Sequence, residues 1–67
     1  MTLSEAERRV VRELAADGAS NREIAARLFV SLSTVKFHMV GAMEKVGVRT
    51  RTALALWWIR RGQYDDG

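Results

Sequence analysis

Ser20-Asn21-Arg22-Glu23-Ile24-Ala25-Ala26-Arg27-Leu28, then Phe29-Val30-Ser31, then Leu32-Ser33-Thr34-Val35-Lys36-Phe37-His38-Met39 is the stretch that decides the fold. Ser20 and Glu23 have the spacing of a capping box, in which the serine oxygen and the glutamate each satisfy a free backbone N–H at a helix start. Ile24, Ala25 and Leu28 fall on one side of the helix that begins there. Ser31 reads as a second cap. Behind it Leu32, Val35, Met39, Ala42, Met43 and Val46 recur at intervals of three and four. The spacing predicts helices over about 21–28 and 32–46 with three residues between them. A short helix, a tight turn and a longer helix make a helix-turn-helix, whose second helix enters the major groove when the unit binds DNA. Short helix pairs also occur in bundles that bind nothing, so this geometry alone leaves both readings open.

Outward from that core the same signals repeat. Ser4-Glu5-Ala6-Glu7 is a further capping box and opens a helix over about 5–17, with Val10, Val11, Leu14 and Ala15 turned inward. Thr50 caps a fourth helix over about 51–61. Gly18, Gly47 and Gly62 each come after a periodic run, where a left-handed residue commonly ends a helix. No run alternates polar and apolar as a half-buried strand does. The expected fold class is all-α: a compact four-helix bundle containing a helix-turn-helix over residues 1–62, with a frayed tail over 63–67.

Composition sets limits on function. A chain of 67 residues has room for one small core. It contains no cysteine and one histidine, which excludes disulfides, thiolate metal sites and the common zinc fingers. With His38 alone and Asp65-Asp66 in the tail, no acid–base or nucleophile constellation assembles, so neither catalytic residues, nor a metal, nor a cofactor is expected. Hydrophobic residues make up 48 % and charged ones 28 %, with no proline, which suits a helical domain. The longest apolar run, Ala53 to Ile59, is far shorter than the roughly 20 residues of a membrane helix. The expectation is a soluble cytoplasmic domain without a membrane partner, either a stand-alone protein or a piece of a longer one. The formal charge of +3 is small, but it is unevenly placed. Residues 1–23 are slightly acidic, whereas residues 24–62 carry Arg27, Lys36, Lys45, Arg49, Arg51, Arg60 and Arg61 against Glu44 alone. The basic excess therefore falls on the third helix and the residues C-terminal to it, as a polyanion partner requires.

The third helix is the informative one. Without its inward residues it presents Ser33, Thr34, Lys36, Phe37, Val40, Gly41 and Glu44. Short hydroxyls and a lysine at a helix N-terminus suit phosphate and base-edge contacts. An ordinary solvated face mixes glutamate with lysine, and this one holds no acid before Glu44. The bland alternatives are a solvated Lys36, a Phe37 packed on the first helix, and a purely capping role for Ser31 and Thr34. Gly41 weakens the helix by up to about 1 kcal/mol relative to alanine, and a close approach to DNA would account for it.

These residues resemble the LuxR-type (GerE-type) helix-turn-helix domain of bacterial transcription regulators, which includes many response regulators. The likeness covers roughly Leu3 to Gly62: Leu3-Ser4 with Glu7, Ala15-Ala16-Asp17-Gly18, Ser20 to Ala25, Leu28, Ser31, Thr34-Val35-Lys36-Phe37-His38, Lys45-Val46-Gly47-Val48 and Thr50-Arg51. It implies sequence-specific binding of double-stranded DNA, with the third helix as reader and the fourth as a dimer seam. By position it puts Lys36 and Phe37 at bases. It puts Asn21, Arg22, Ser33 and Thr34 at backbone phosphates, joined by Arg49 and Arg51 as phosphate or structural groups. His38 is expected as a structural histidine bonded to backbone or phosphate. Family members often carry a polar or basic residue where this chain has Val40-Gly41. Readout here is then expected to lean on Lys36 and on apolar contact of Phe37 or Val40 with thymine methyls.

The fourth helix is apolar on every side, and a small bundle covers only one stripe of it. Either Leu54 and Trp58 face the core with Trp57 flat on the surface, or Leu54, Trp57, Trp58 and Arg61 meet a second copy in a homodimer; the second is preferred when DNA is present. RNA polymerase is a further candidate partner of such a regulator. Two other functions compete with it: a promoter-binding module like sigma-factor region four, and a helical adaptor that uses the Trp57/Trp58 surface.

Overall fold

The computed structural model describes residues 2–62, with side chains through Arg60. Helices α1 (Glu5–Asp17), α2 (Asn21–Leu28), α3 (Leu32–Val46) and α4 (Arg51–Trp57) come in that order, and a π-type turn, Trp58–Gly62, continues from the last. No strand occurs among the described residues. The expected tail over 63–67 lies outside them.

Four side chains set the four starts. Ser4 Oγ accepts from the Glu7 N–H at 3.1 Å while the Ser4 N–H donates to Glu7 Oε1 at 2.8 Å. Ser20 and Glu23 repeat this box at the same distances. Ser31 and Thr50 cap α3 and α4 without an acidic partner, accepting from the N–H of Thr34 and of Ala53. Such caps contribute about 1 kcal/mol each. Gly18 and Gly47 end α1 and α3 with φ of 68° and 86°, the left-handed conformation that glycine adopts without steric cost.

α2 ends where the spacing puts it, after Leu28, whereas α4 ends early. α2 stops at Phe29, a non-glycine residue held at φ 58° and ψ 44°. Its N–H bonds to the Ala26 carbonyl and the Val30 N–H to the Ala25 carbonyl, the paired pattern of a Schellman cap. No glycine marks this end, so the local sequence gives no stop signal there. The α-helix at 51 ends at Trp57 rather than near 61, and the remaining turn is wider. A continuous apolar run hides that change, because periodicity does not distinguish α from π winding in so short a segment.

α1 packs on α3 and α4, and α2 on α3, so that α3 is held from two sides and keeps one face outward. The core contains Val10, Val11, Leu14, Ile24, Ala25, Val35, Met39 and Ala42 from the predicted stripes. Ala15, Leu28, Met43 and Val46 pack against it partly buried. Leu3 and Ala19, outside the helices, also belong to it. So do Leu54, at 0 % exposure, and Trp58. Both residues thus fill their own protomer's core, as in the first of the two readings of this helix. The apolar remainder of the C-terminal segment is Leu56 at 43 % and Ile59 at 53 % exposure, beside a half-buried Trp57. The Arg61 side chain lies outside the described residues.

Gly41 is corrected as well. A methyl group added there would come 2.7 Å from Glu7 Oε2, so the glycine admits α1 against α3 rather than a ligand against the outer face. Glu7 is itself buried, and its Oε1 accepts from Lys45 Nζ at 2.8 Å.

Candidate nucleic-acid interface

The residues expected to meet DNA divide into three groups in space. Asn21, Arg22, Lys36 and Arg51 line one open groove of about 540 Å³, together with Gly18, Ser20 and Leu32. It runs between the start of α2, the first turns of α3 and the start of α4. The box at Ser20 satisfies two backbone groups of α2, while the first-turn N–H groups of Asn21 and Arg22 have no intrahelical acceptor, as at any helix start. An anion in this groove meets those N–H groups and the cationic heads of Arg22 and Lys36.

Two of the four are already engaged with each other. Arg51 Nη1 donates to Asn21 Oδ1, and Arg51 Nη2 donates to the Ala19 carbonyl at 2.7 Å. Arg51 is half-buried by this arrangement. It ties the start of α4 to the α1–α2 turn and thereby fixes where α2 points its N-terminus.

The second group is the outward stripe of α3: Ser33, Lys36, Phe37, Val40 and Glu44, all exposed. Phe37 is 73 % and Val40 55 % exposed, so Phe37 is not packed on α1. Its ring meets His38 edge-on at 5.4 Å between centroids.

The third group faces elsewhere. Thr34 and His38 line a small cleft of about 70 Å³ against Ala6, Arg9 and Val10 of α1, with Leu28 and Val30. The Thr34 hydroxyl is 2.9 Å from that of Ser31. Both Thr34 and His38 are half-buried on the α1 side and do not join the groove around Lys36. Arg49, exposed in the α3–α4 turn, is also outside that groove.

Ion pairs redistribute the basic excess. Arg27 reaches back to α1, to Asp17 Oδ2 at 2.8 Å and Glu13 Oε1 at 3.1 Å. Its hydrogen bonds to these acids raise the guanidinium pKa further and lower that of Asp17. Lys45 is likewise committed to Glu7. Two of the basic residues of the second half thus neutralise α1, whereas Arg22 and Lys36 line the groove and Arg49 stands exposed in the α3–α4 turn. Sequence reasoning missed Gly18, Ser20 and Leu32 as groove walls; Ser20 and Leu32 carried only cap and core signals. It also missed Phe29, which stands 95 % exposed at the turn.

A four-helix core with a short α2, a tight turn and an outward-facing α3 defines a helix-turn-helix protein. The chain belongs to the family described as bacterial regulatory proteins, luxR family (GerE), whose profile it matches over residues 1–58. This is a DNA-binding, non-enzymatic family of transcription regulators. The chain is 37 % identical over 57 residues to the spore germination protein GerE of Bacillus subtilis, which covers 85 % of this chain and 77 % of that one. It is 43 % identical over 58 residues to the transcriptional regulatory protein YhcZ of the same organism, covering 87 % of this chain and 27 % of YhcZ. It is 44 % identical over 61 residues to a Mycobacterium bovis protein named as an HTH-type transcriptional regulator, covering 91 % of this chain. The chain spans only 7 % of that relative's length. No solved structure matches it. Among the described residues no helix is long and apolar enough to cross a membrane.

Proposed function

We propose that this domain binds a specific double-stranded DNA site with α3 in the major groove, and that it does so as a homodimer in the bacterial cytoplasm. The observation that carries the reading is the continuity of two surfaces through Lys36. This residue belongs both to the outward stripe of α3, acid-free before Glu44, and to the groove holding Arg22 and the start of α2. In this pose Lys36, Phe37 and Val40 meet base edges. Ser33, the N-terminus of α2 with Arg22, and Arg49 meet phosphates; Thr34 and His38 lie on the side turned to α1. Asn21 and Arg51 act by holding that N-terminus in place. As part of a regulator, the bound domain is positioned to address RNA polymerase.

Fluorescence anisotropy on a duplex selected from a random pool, at two salt concentrations, tests the reading. Each phosphate contact contributes about 0.9 to the slope of log K against log salt on duplex DNA. Affinity without salt dependence favours an adaptor function instead. A tight complex with one domain per duplex, bound inside a polymerase assembly, favours the sigma-like module.

The dimer would use the apolar remainder of the C-terminal segment, Leu56, Trp57 and Ile59, with Arg60 beside them. Leu56, Trp57 and Arg60 line one shallow depression with Ala53. Two copies would then place their α3 helices in successive major grooves, with half-sites about 10 base pairs apart. Sedimentation of the wild type and of Leu56→Ala with and without DNA is the measurement. A monomer under every condition removes the dimer from the reading while leaving DNA binding intact.

A further inference from the structure

We propose that α3 selects its half-site by the C5-methyl groups of thymine, read by Phe37 and Val40 beside a single hydrogen-bonding contact from Lys36. The inference rests on the reading of α3 as the major-groove helix and adds what that helix recognises.

The outward stripe of α3 is chemically unusual. Phe37 and Val40 are three residues apart and therefore neighbours on one face, and Lys36 is four residues before Val40. Gly41 adds no side chain to that face, because it is turned towards Glu7. Between Ser33 and Glu44 the exposed stripe thus holds one long cationic donor and two large apolar groups. One lysine serves one base, typically the O6/N7 edge of a guanine. Neither apolar side chain forms a hydrogen bond, and both leave apolar surface in water unless something covers it. In the major groove of unmodified DNA the only apolar group on a base edge is the thymine C5-methyl. A helix that fits the major groove, carrying two exposed apolar side chains at its centre, therefore matches a half-site with thymines beside the base that Lys36 reads. 5-Methylcytosine displays the same group at the same depth and is the other source of this chemistry.

The experiment uses the full chain and a duplex selected by it from a random pool. Each thymine of the half-site is replaced in turn by deoxyuridine, which removes the methyl and nothing else. Each cytosine is separately replaced by 5-methylcytosine. Loss of one thymine methyl at the site is expected to weaken binding about three- to fivefold, the worth of one buried methyl-sized group. In Phe37→Ala the difference between thymine and uracil should vanish at one position, and in Val40→Ala at the other. Both side chains are exposed, so both variants are expected to keep the wild-type helical circular dichroism. Uracil within twofold of thymine at every position overturns the proposal, as does a Phe37→Ala loss that is equal on both duplexes. A gain on cytosine methylation without any loss on uracil also overturns it and assigns the apolar contact to 5-methylcytosine. No salt-dependent affinity for any duplex overturns the DNA-binding reading itself, and the methyl readout with it.

Discussion

Arg51 Nη2 donates to the Ala19 carbonyl at 2.7 Å, so the first residue of α4 holds the residue just before the α2 cap. The same guanidinium donates to Asn21 Oδ1. The planar fork is what permits this, since two N–H groups address a carbonyl and an amide at fixed spacing. The start of the C-terminal helix is thereby tied to the helix that presents its N-terminus to the groove.

Replacing Arg51 separates fork from charge. Arg51→Lys keeps the charge but reaches only one of the two acceptors, and it is expected to cost about 1 kcal/mol of stability. Arg51→Ala should cost slightly more. Chemical denaturation measures both. Arg49→Ala, at an exposed position, should leave the denaturation midpoint nearly unchanged. Equal midpoints for Arg51→Lys and the wild type would show that the strap contributes nothing.

Gly41→Ala normally favours a helix by up to about 1 kcal/mol. Here the new methyl meets Glu7 Oε2 at 2.7 Å. The carboxylate is pinned through Oε1 by the Ser4 N–H and by Lys45, so it cannot turn aside without breaking its cap and its ion pair. Gly41→Ala is therefore expected to destabilise the wild type by about 1 kcal/mol. In a Glu7→Ala background the same substitution should be stabilising. The reversal of sign is the observable in a double-mutant cycle.

The Glu7 pair also sets an acid limit. Burial alone raises the Glu7 pKa, but the hydrogen bond from Lys45 and those from the Ser4 backbone and hydroxyl outweigh it and hold the value below that of an ordinary glutamate. A carboxyl depressed in the folded state binds fewer protons there than when unfolded. Its contribution to stability is complete above the unfolded pKa, about 4.3, and is lost as pH falls through the folded value. Asp17 beside Arg27 acts in the same direction. Thermal melts of Glu7→Gln from pH 7 down to 2 should show a shallower acid decline than the wild type. Parallel curves would remove Glu7 from the acid limb.

Phe29 combines a left-handed backbone with 95 % exposure. A bulky side chain in that conformation costs roughly 1 kcal/mol, and an exposed ring recovers none of it through packing. Asparagine is tolerated there. Phe29→Asn is expected to stabilise the domain by about 0.5–1 kcal/mol, read as a rise in melting temperature. A fall would mean that the ring makes contacts beyond those seen in this fold.

Helix starts, the outward stripe of α3 and the family were legible in the sequence because each is written in residues a few positions apart. A cap acts over three residues, and an amphipathic stripe repeats every three or four. Spacing alone therefore places Ser4, Ser20, Ser31 and Thr50 at helix starts, and Lys36, Phe37 and Val40 on one outward face. The hidden features depend on partners distant in the chain. Arg51 meets Ala19 across 32 positions, and Lys45 meets Glu7 across 38. No local pattern announces that Gly41 makes room for Glu7, or that Arg27 turns back to α1. Every residue from Ala53 to Ile59 is apolar, so the sequence could not say which ones the core would take. Packing against α1 chose Leu54 and Trp58, because a four-helix core of this size covers one stripe and leaves Leu56 and Ile59 outside. Local hydrogen bonding determined where the helices begin; the competition for a limited interior decided which of their faces remained free.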